Sequence, residues 1–194
     1  MLASITPLGE RSRGFSWRLT ASSFAIGSIS AGALAGAGAG ALGLLLPAGS
    51  GWRWIALLAV LALSLLFDAS PLRRWLPSSR RQVNENWLGR YRGWVYGFGF
   101  GAQLGVGVAT IVTSSAIYAA AIAALLSGGP AAGAAIGATF GAVRALALLP
   151  ARSAIDRDGL ISLHRRLGSW EAPSRQATYA VELIMLAALI GRVA

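Results

Sequence analysis

The sequence contains no cysteine and no lysine, one histidine, and only seven acidic residues among 194 positions. Without cysteine, the chain forms no disulfide, performs no thiol redox chemistry and offers no thiolate to a metal. One imidazole and few carboxylates are a poor basis for a metal site, so we expect neither a metal nor another cofactor. No Ser-His-Asp set, HExxH motif or phosphate loop is found in a suitable context. The sequence therefore argues against an enzyme.

Charged residues are also scarce, and their positions predict a membrane protein. Hydrophobic residues make up 55% of the chain and charged residues 12%, which is unlike an ordinary soluble domain. The net charge of +10 comes from arginines in short loops between apolar segments. This is the pattern of the positive-inside rule, so we do not interpret the charge as a nucleic-acid surface. The lipid bilayer is the partner that the composition indicates.

Five apolar segments alternate with basic and uncharged connections. We predict an all-α, polytopic transmembrane helix bundle with spans of about 19–47, 52–70, 93–126, 130–150 and 175–192. The first segment is too long for the apolar core of a signal peptide, so we expect it to be retained. The N-terminal lead and the loops 71–92 and 150–174 are basic, whereas the turns at 47–52 and 127–130 are not. This alternation predicts a cytoplasmic N-terminus and an external C-terminus in the cell membrane.

The stretch 80–107 changes from basic to aromatic to glycine-rich as it leads into the third segment, as a chain does on entering a bilayer. The third segment itself is too long for an ordinary span. At a rise of about 1.5 Å per residue, it exceeds the hydrocarbon thickness of about 30 Å by a wide margin. It is either one long tilted helix or a helix broken near its glycines, and a break would allow six crossings. Gln103 lies in this segment, and hydroxyl side chains follow it that would line a solute path or bond to neighbouring backbone. These are Thr110, Thr113, Ser114, Ser115 and Tyr118.

Glycines recur every four residues in three segments and predict closely packed helices. The third and fourth segments carry Gly93, Gly97, Gly101 and Gly105, and Gly129, Gly133, Gly137 and Gly141, respectively. In antiparallel neighbours these two ridges would lie at different depths. We therefore expect the fourth segment to pack on the first, whose ridge comprises Ser28, Gly32, Gly36 and Gly40. The third ridge would then be left for a second copy of the chain or for another membrane protein.

Two charged residues lie within apolar segments and, with Gln103, form a candidate intramembrane polar site. By helical rise, Arg144 and Glu182 would each lie about 10–12 Å from the inner interface. A lone charge in hydrocarbon costs on the order of a few kcal/mol, so we expect these two residues to pair. The pair would either fix the register of two helices or act as a gate or a proton- or ion-coupled site.

Two other polar residues, Asp68 and His164, are expected to make surface contacts only. Asp68, at the inner end of the second segment, would form a surface ion pair, for example with Arg73. His164 would be solvated or would contact lipid headgroups. It belongs to the stretch DGLISLHRRL, which predicts a short amphipathic helix capped by Asp158. The apolar face of that helix would carry Leu160, Leu163 and Leu167.

The glycine-rich segments alternate with shorter ones in two halves of similar outline. In this the chain resembles the transmembrane part of DsbD/CcdA-type and related small exporter proteins, and the resemblance implies a carrier-like bundle. Those electron carriers depend on paired membrane cysteines, which this chain lacks, so no site residue is carried over. We predict a small carrier, exporter or transporter subunit. The alternative is a non-catalytic structural or assembly subunit of a membrane complex.

Overall fold

The computed structural model describes residues 5–47, 49–71, 86–107 and 114–193. These residues form helices and turns, and no strand is found among them. The helices are α1 (Pro7–Ser12), α2 (Trp17–Leu42), α3 (Ser50–Ala69), α4 (Trp87–Arg90), α5 (Gly93–Val106), α6 (Ala116–Leu126), α7 (Pro130–Leu146), α8 (Arg157–Ser169) and α9 (Glu171–Val193), with 3₁₀ turns at Gly43–Leu45 and Leu149–Ser153. Three helical stretches, Trp17–Leu45, Gly51–Ala69 and Pro130–Ser153, are long and apolar enough to cross a membrane.

Large apolar side chains cover the outside of these helices. Leu34 of α2 is 74% exposed, and Leu66 of α3 and Val143 of α7 are exposed to a similar extent. In contrast, the buried positions of α2 are mostly glycine, serine and threonine. An apolar exterior of this size is unusual for a soluble monomer, and in a bilayer it is the surface that faces lipid.

α2 lies at the centre of the fold and packs against α7 through backbone. A methyl group on Gly32 or Gly36 would collide with the carbonyl oxygen of Gly137 or Gly133, respectively. Nearer the start of α2, Ser28 donates a 2.8 Å hydrogen bond to the carbonyl of Gly141. The order of these contacts shows that the two helices are antiparallel. This is the pairing of segments that the glycine spacing predicts.

α5 packs against α2 in the same backbone-to-backbone manner. In order along both helices, the contacts join Thr20 to Gly97, Phe24 to Gly101 and Ser28 to Gly105. The two helices are therefore parallel, and α2 covers the glycines of α5 within the chain. This ridge is therefore covered within the chain and not left open as predicted, because the prediction considered antiparallel neighbours and α2 is a parallel one.

The third predicted span is not one helix. α5 ends at Gly107, whose φ of 81° lies in the left-handed region that favours glycine, and α6 begins at Ala116. Gly107 lies beside Ile117 at the start of α6, whereas Leu125 at the other end lies against Gly43. α6 therefore continues in the direction of α5 and α2. Thr110 and Thr113 lie outside the described residues.

A buried cluster closes the end of the bundle at which α2 begins. It joins the N-terminal lead to α2, α5, the second 3₁₀ turn and α8, and consists of Ile5, Phe24, Tyr96, Phe100, Leu148, Ala151, Ala154 and Leu163. The backbone N–H of Leu8 donates to the carbonyl of Ala154 at 3.1 Å, which ties α1 to that turn. The predicted amphipathic helix is present as α8. Its cap is Asp156, which accepts the N–H of Gly159 at 2.7 Å, so the prediction of Asp158 as the cap is wrong.

Candidate functional site

Glu182 is a residue of α9 and is buried against α3, with only 3% of its surface exposed. Its Oε1 accepts a 2.6 Å hydrogen bond from the hydroxyl of Ser64. Tyr179, one turn earlier on α9, donates to the carbonyl of Asp68 at 2.6 Å. The two helices are therefore antiparallel. Ser64 lies in the second half of α3, five residues before its end at Ala69, and Glu182 lies midway along α9, eleven residues after Glu171.

Hydroxyl groups connect Glu182 to the start of α6. The hydroxyls of Ser64 and Ser115 are 2.8 Å apart, and the Ser115 hydroxyl also lies 2.8 Å from the carbonyl of Ser64, to which it can donate. The backbone N–H of Ser115 donates to Asp68 at 2.9 Å, and the Ser114 hydroxyl donates to the same carboxylate at 2.6 Å. Asp68 thus lies at the N-terminus of α6, where the helix dipole favours a negative charge.

A largely apolar cavity of about 1000 Å³ lies between α3, α6 and α9. Glu182 lines it, together with Arg53 and the hydroxyl residues Ser127 and Thr178. The remaining walls are mainly Leu57, Leu61, Ala119, Ala120, Ala123, Val181 and Met185. Among the described residues, the Oε2 atom of Glu182 is buried and has no hydrogen-bond partner. A buried carboxylate oxygen without a partner is costly, so this group is not explained by helix packing alone.

Glu10 provides a comparison, because it is a second fully buried carboxylate whose oxygens are both bonded. Its Oε1 accepts from the Tyr96 hydroxyl at 2.5 Å and from Arg13 at 2.7 Å, and its Oε2 accepts from Thr20 at 2.6 Å. Burial acts to lower the pKa of Arg13, but its hydrogen bond to Glu10 and the neighbouring Tyr96 outweigh that effect and raise the pKa. Both oxygens of Glu10 are thus bonded, and the cluster fastens α1 to α2 and α5.

The predicted pair of Arg144 and Glu182 is not formed. Across the part of the chain that the structure describes, no salt bridge joins them, and the Arg144 guanidinium lies 5.4 Å from the centre of the Phe140 ring. Helical rise predicts depth along the membrane but not the side of the helix from which a residue points. α9 packs on α3, so Glu182 meets Ser64 instead. Gln103 is half-buried on α5 and is not part of the cavity wall.

The prediction for Asp68 is wrong, whereas His164 lies at the surface as expected. Asp68 is 6% exposed, so it is not the surface ion pair that we expected, and Arg73 lies outside the described residues. His164 is exposed on α8, with Nδ1 2.9 Å from the carbonyl of Leu160.

Two residues of these polar clusters, Ser64 and Glu10, were not predicted from the sequence. Thr6-Pro7 followed by Glu10 is a helix-start signal, and Thr6 does cap α1 through a 3.1 Å bond to Gly9.

Comparison of the chain with protein-family models, with curated proteins and with solved structures found no match.

Proposed function

We propose that this protein is a small membrane carrier or transporter subunit in which Glu182 alternately holds a proton and a cationic group of the solute. The observation that supports the proposal is the buried carboxylate with one unpartnered oxygen beside a large apolar cavity. A carboxylate that only fixes helix packing would have both oxygens bonded, as Glu10 has. Ionisable groups within membrane helices are costly and commonly belong to proton or ion pathways.

The chemistry of the cavity favours an amphipathic monocation as the solute. Leucine, alanine, valine and methionine side chains would contact its apolar part, and a single carboxylate would balance its charge. Ser64 would orient that carboxylate through Oε1 and leave Oε2 for a proton. When the solute leaves, a proton takes its place, so the group stays neutral in the low-dielectric interior.

We further propose five crossings with a cytoplasmic N-terminus. α2 and α9 would run outward, α3 and α7 inward, and α5 with α6 would form one outward crossing in two pieces. The parallel contacts of α2 with α5 and the antiparallel contacts of α2 with α7 support this order. The basic residues of the N-terminal lead and of the two long loops support the orientation.

The test uses purified protein in liposomes that enclose a pH-sensitive dye, with tetraphenylphosphonium as the probe cation. Addition of the probe to wild-type liposomes is expected to drive proton movement, and Glu182→Gln is expected to abolish it without loss of folded protein. Asp158→Asn is the matched control, since Asp158 is an exposed carboxylate on α8. Proton movement that persists in the Glu182 variant, or that is absent from the wild type, contradicts the proposal.

A second candidate function is a structural or assembly subunit, and the surface of α9 favours it. α9 packs against α3 and α8, while Leu183, Ile184 and Ile190 on another side of the helix are more than half exposed. Because α2 covers the glycines of α5, we propose this face of α9 as the contact with a second copy or with another membrane protein. Stable co-purification of a membrane partner in mild detergent would favour this role, and a monodisperse monomer would count against it.

A further inference from the structure

A groove lies at the end of the bundle at which α7 finishes, away from the Glu182 cavity. It has a volume of about 450 Å³ and runs between the second 3₁₀ turn, Leu149–Ser153, and the second half of α8. Its wall contains two arginines, Arg152 and Arg166, from these two different elements, and Trp170 closes one side. We call it the basic groove.

Both arginines that line the basic groove are accessible at the surface of the protein. Arg152 and Arg166 are exposed, and no salt bridge to either is found in the described part of the chain. Asp156, the acidic residue nearest to Arg152 along the chain, is engaged as the cap of α8. Arg166 also lies in the last turn of α8, where the helix dipole favours a cation. Among the side chains that the structure describes, the two arginines of the groove thus have no acidic partner.

The other walls of the basic groove are apolar. Leu146, at the end of α7, and Leu149, at the start of the second 3₁₀ turn, are 57% and 50% exposed, and they continue the apolar surface of α7. Leu163 forms the floor and is held in place at 2% exposure by the buried cluster. The charge thus lies beside an apolar surface that leads towards the membrane. A lipid would contact both the charge and this apolar surface, whereas a free phosphate ion would contact the charge alone.

The groove also lies at the correct level for a lipid headgroup. The apolar helical stretch ends at Ser153, and the amphipathic α8 follows it directly. Trp170, which is 49% exposed, is of the residue type that concentrates at the membrane interface. Basic pockets beside the cytoplasmic ends of transmembrane helices commonly bind anionic headgroups.

We propose that the basic groove is a binding site for an anionic phospholipid of the inner leaflet. The phosphate and the adjoining headgroup lie between Arg152 and Arg166, and an acyl chain lies along Leu149 and Leu146. Trp170 packs at the level of the glycerol. This assignment is independent of the proposed transport function, because it concerns a different surface and requires only binding.

The test is native mass spectrometry of the full-length protein in mild detergent, titrated with phosphatidylglycerol or phosphatidylcholine. The expected result is preferential binding of one phosphatidylglycerol molecule. The double variant Arg152→Gln/Arg166→Gln is expected to weaken that binding by about 25-fold, since each arginine near an anionic lipid contributes about fivefold. The matched control is Arg157→Gln/Arg165→Gln, which removes the same charge from exposed positions of α8 outside the groove and is expected to leave the affinity nearly unchanged.

Three outcomes would overturn the proposal. Equal losses in the two double variants would show that binding follows net charge and not the groove. Equal affinity for phosphatidylcholine would show that the arginines do not select the headgroup. Displacement of the lipid by inorganic phosphate at comparable concentration would identify an ion site. An added variant, Leu149→Asn, separates the lipid from the ion, because it is expected to weaken lipid binding and to leave phosphate binding unaffected.

Discussion

The contact between α2 and α7 predicts opposite effects for the same substitution at two neighbouring glycines. A methyl group on Gly36 would collide with the carbonyl oxygen of Gly133, whereas one on Gly38 would meet nothing within 4 Å. Both changes to alanine lower the backbone entropy of the unfolded chain, which favours the helix by about 0.5–1 kcal/mol. This contribution is common to the two variants, so their difference reports the packing of the methyl group at position 36.

The magnitude at Gly36 follows from what would have to move. The colliding atom belongs to the backbone of α7, which is held by its own helical hydrogen bonds and cannot rotate away as a side chain can. Overpacking of this kind costs about 1–3 kcal/mol, because the two helices separate and lose contacts along their length. We therefore expect Gly36→Ala to be less stable than Gly38→Ala by about 1–3 kcal/mol.

The assay is reversible unfolding from mild detergent into dodecyl sulfate, followed by the fluorescence of the seven tryptophans. Gly36→Ala should lower the midpoint, and Gly38→Ala should leave it unchanged or raise it. Gly133→Ala should resemble Gly36→Ala, and the double variant should lose less than the sum, because both changes open the same contact. Equal midpoints for the variants at 36 and 38 would refute the close approach of α2 and α7.

Two further predictions concern the Glu10 cluster and the topology. Tyr96→Phe removes a hydrogen bond to a buried carboxylate and should lower the free energy of unfolding by about 1.5–3 kcal/mol, while the control Tyr91→Phe, at a half-exposed position, should change it little. If the two substitutions change the free energy of unfolding by the same small amount, the Glu10 network does not stabilise the fold. A tag after Ala194 should be labelled from outside the cell, because α5 and α6 run in one direction; labelling from the cytoplasm would contradict five crossings.

Three of the predicted spans, and the faces on which the first and fourth segments pack, were predictable because both depend on local pattern. A run of apolar residues predicts a membrane helix whatever its neighbours are, and a four-residue spacing of glycines predicts a face that another backbone can approach. The first and fourth segments pack as their glycines predict. The same spacing gave the wrong partner for the third segment, because periodicity identifies a face of a helix but not which helix covers it.

The Glu182 site was only partly predictable, because a sequence pattern does not show which helices meet. Glu182 stands out in the sequence because a carboxylate is costly in hydrocarbon, and its depth can be estimated from helical rise. The side towards which it points depends on how α9 packs, and that contact is made by Ser64 and Tyr179. Neither residue is distinctive, since hydroxyl side chains are common in membrane helices and most often bond locally. Glu10 was not identified either, because it lies in a short polar lead whose charges look solvated in the sequence.

The two parts of the bundle are held together differently, and the difference bears on the proposed mechanism. α5, α2 and α7 meet through backbone atoms, so small displacements between them meet steric resistance at once. α3, α6 and α9 meet around a cavity, and the recorded polar links between α3 and α9 are the bonds at Glu182 and Tyr179. Protonation of Glu182 would weaken one of these links, because a neutral carboxyl accepts a hydrogen bond less strongly than a carboxylate. In the proposed carrier, the titrating group therefore lies at the contact that must open, and the glycine-packed helices supply the frame against which α9 moves.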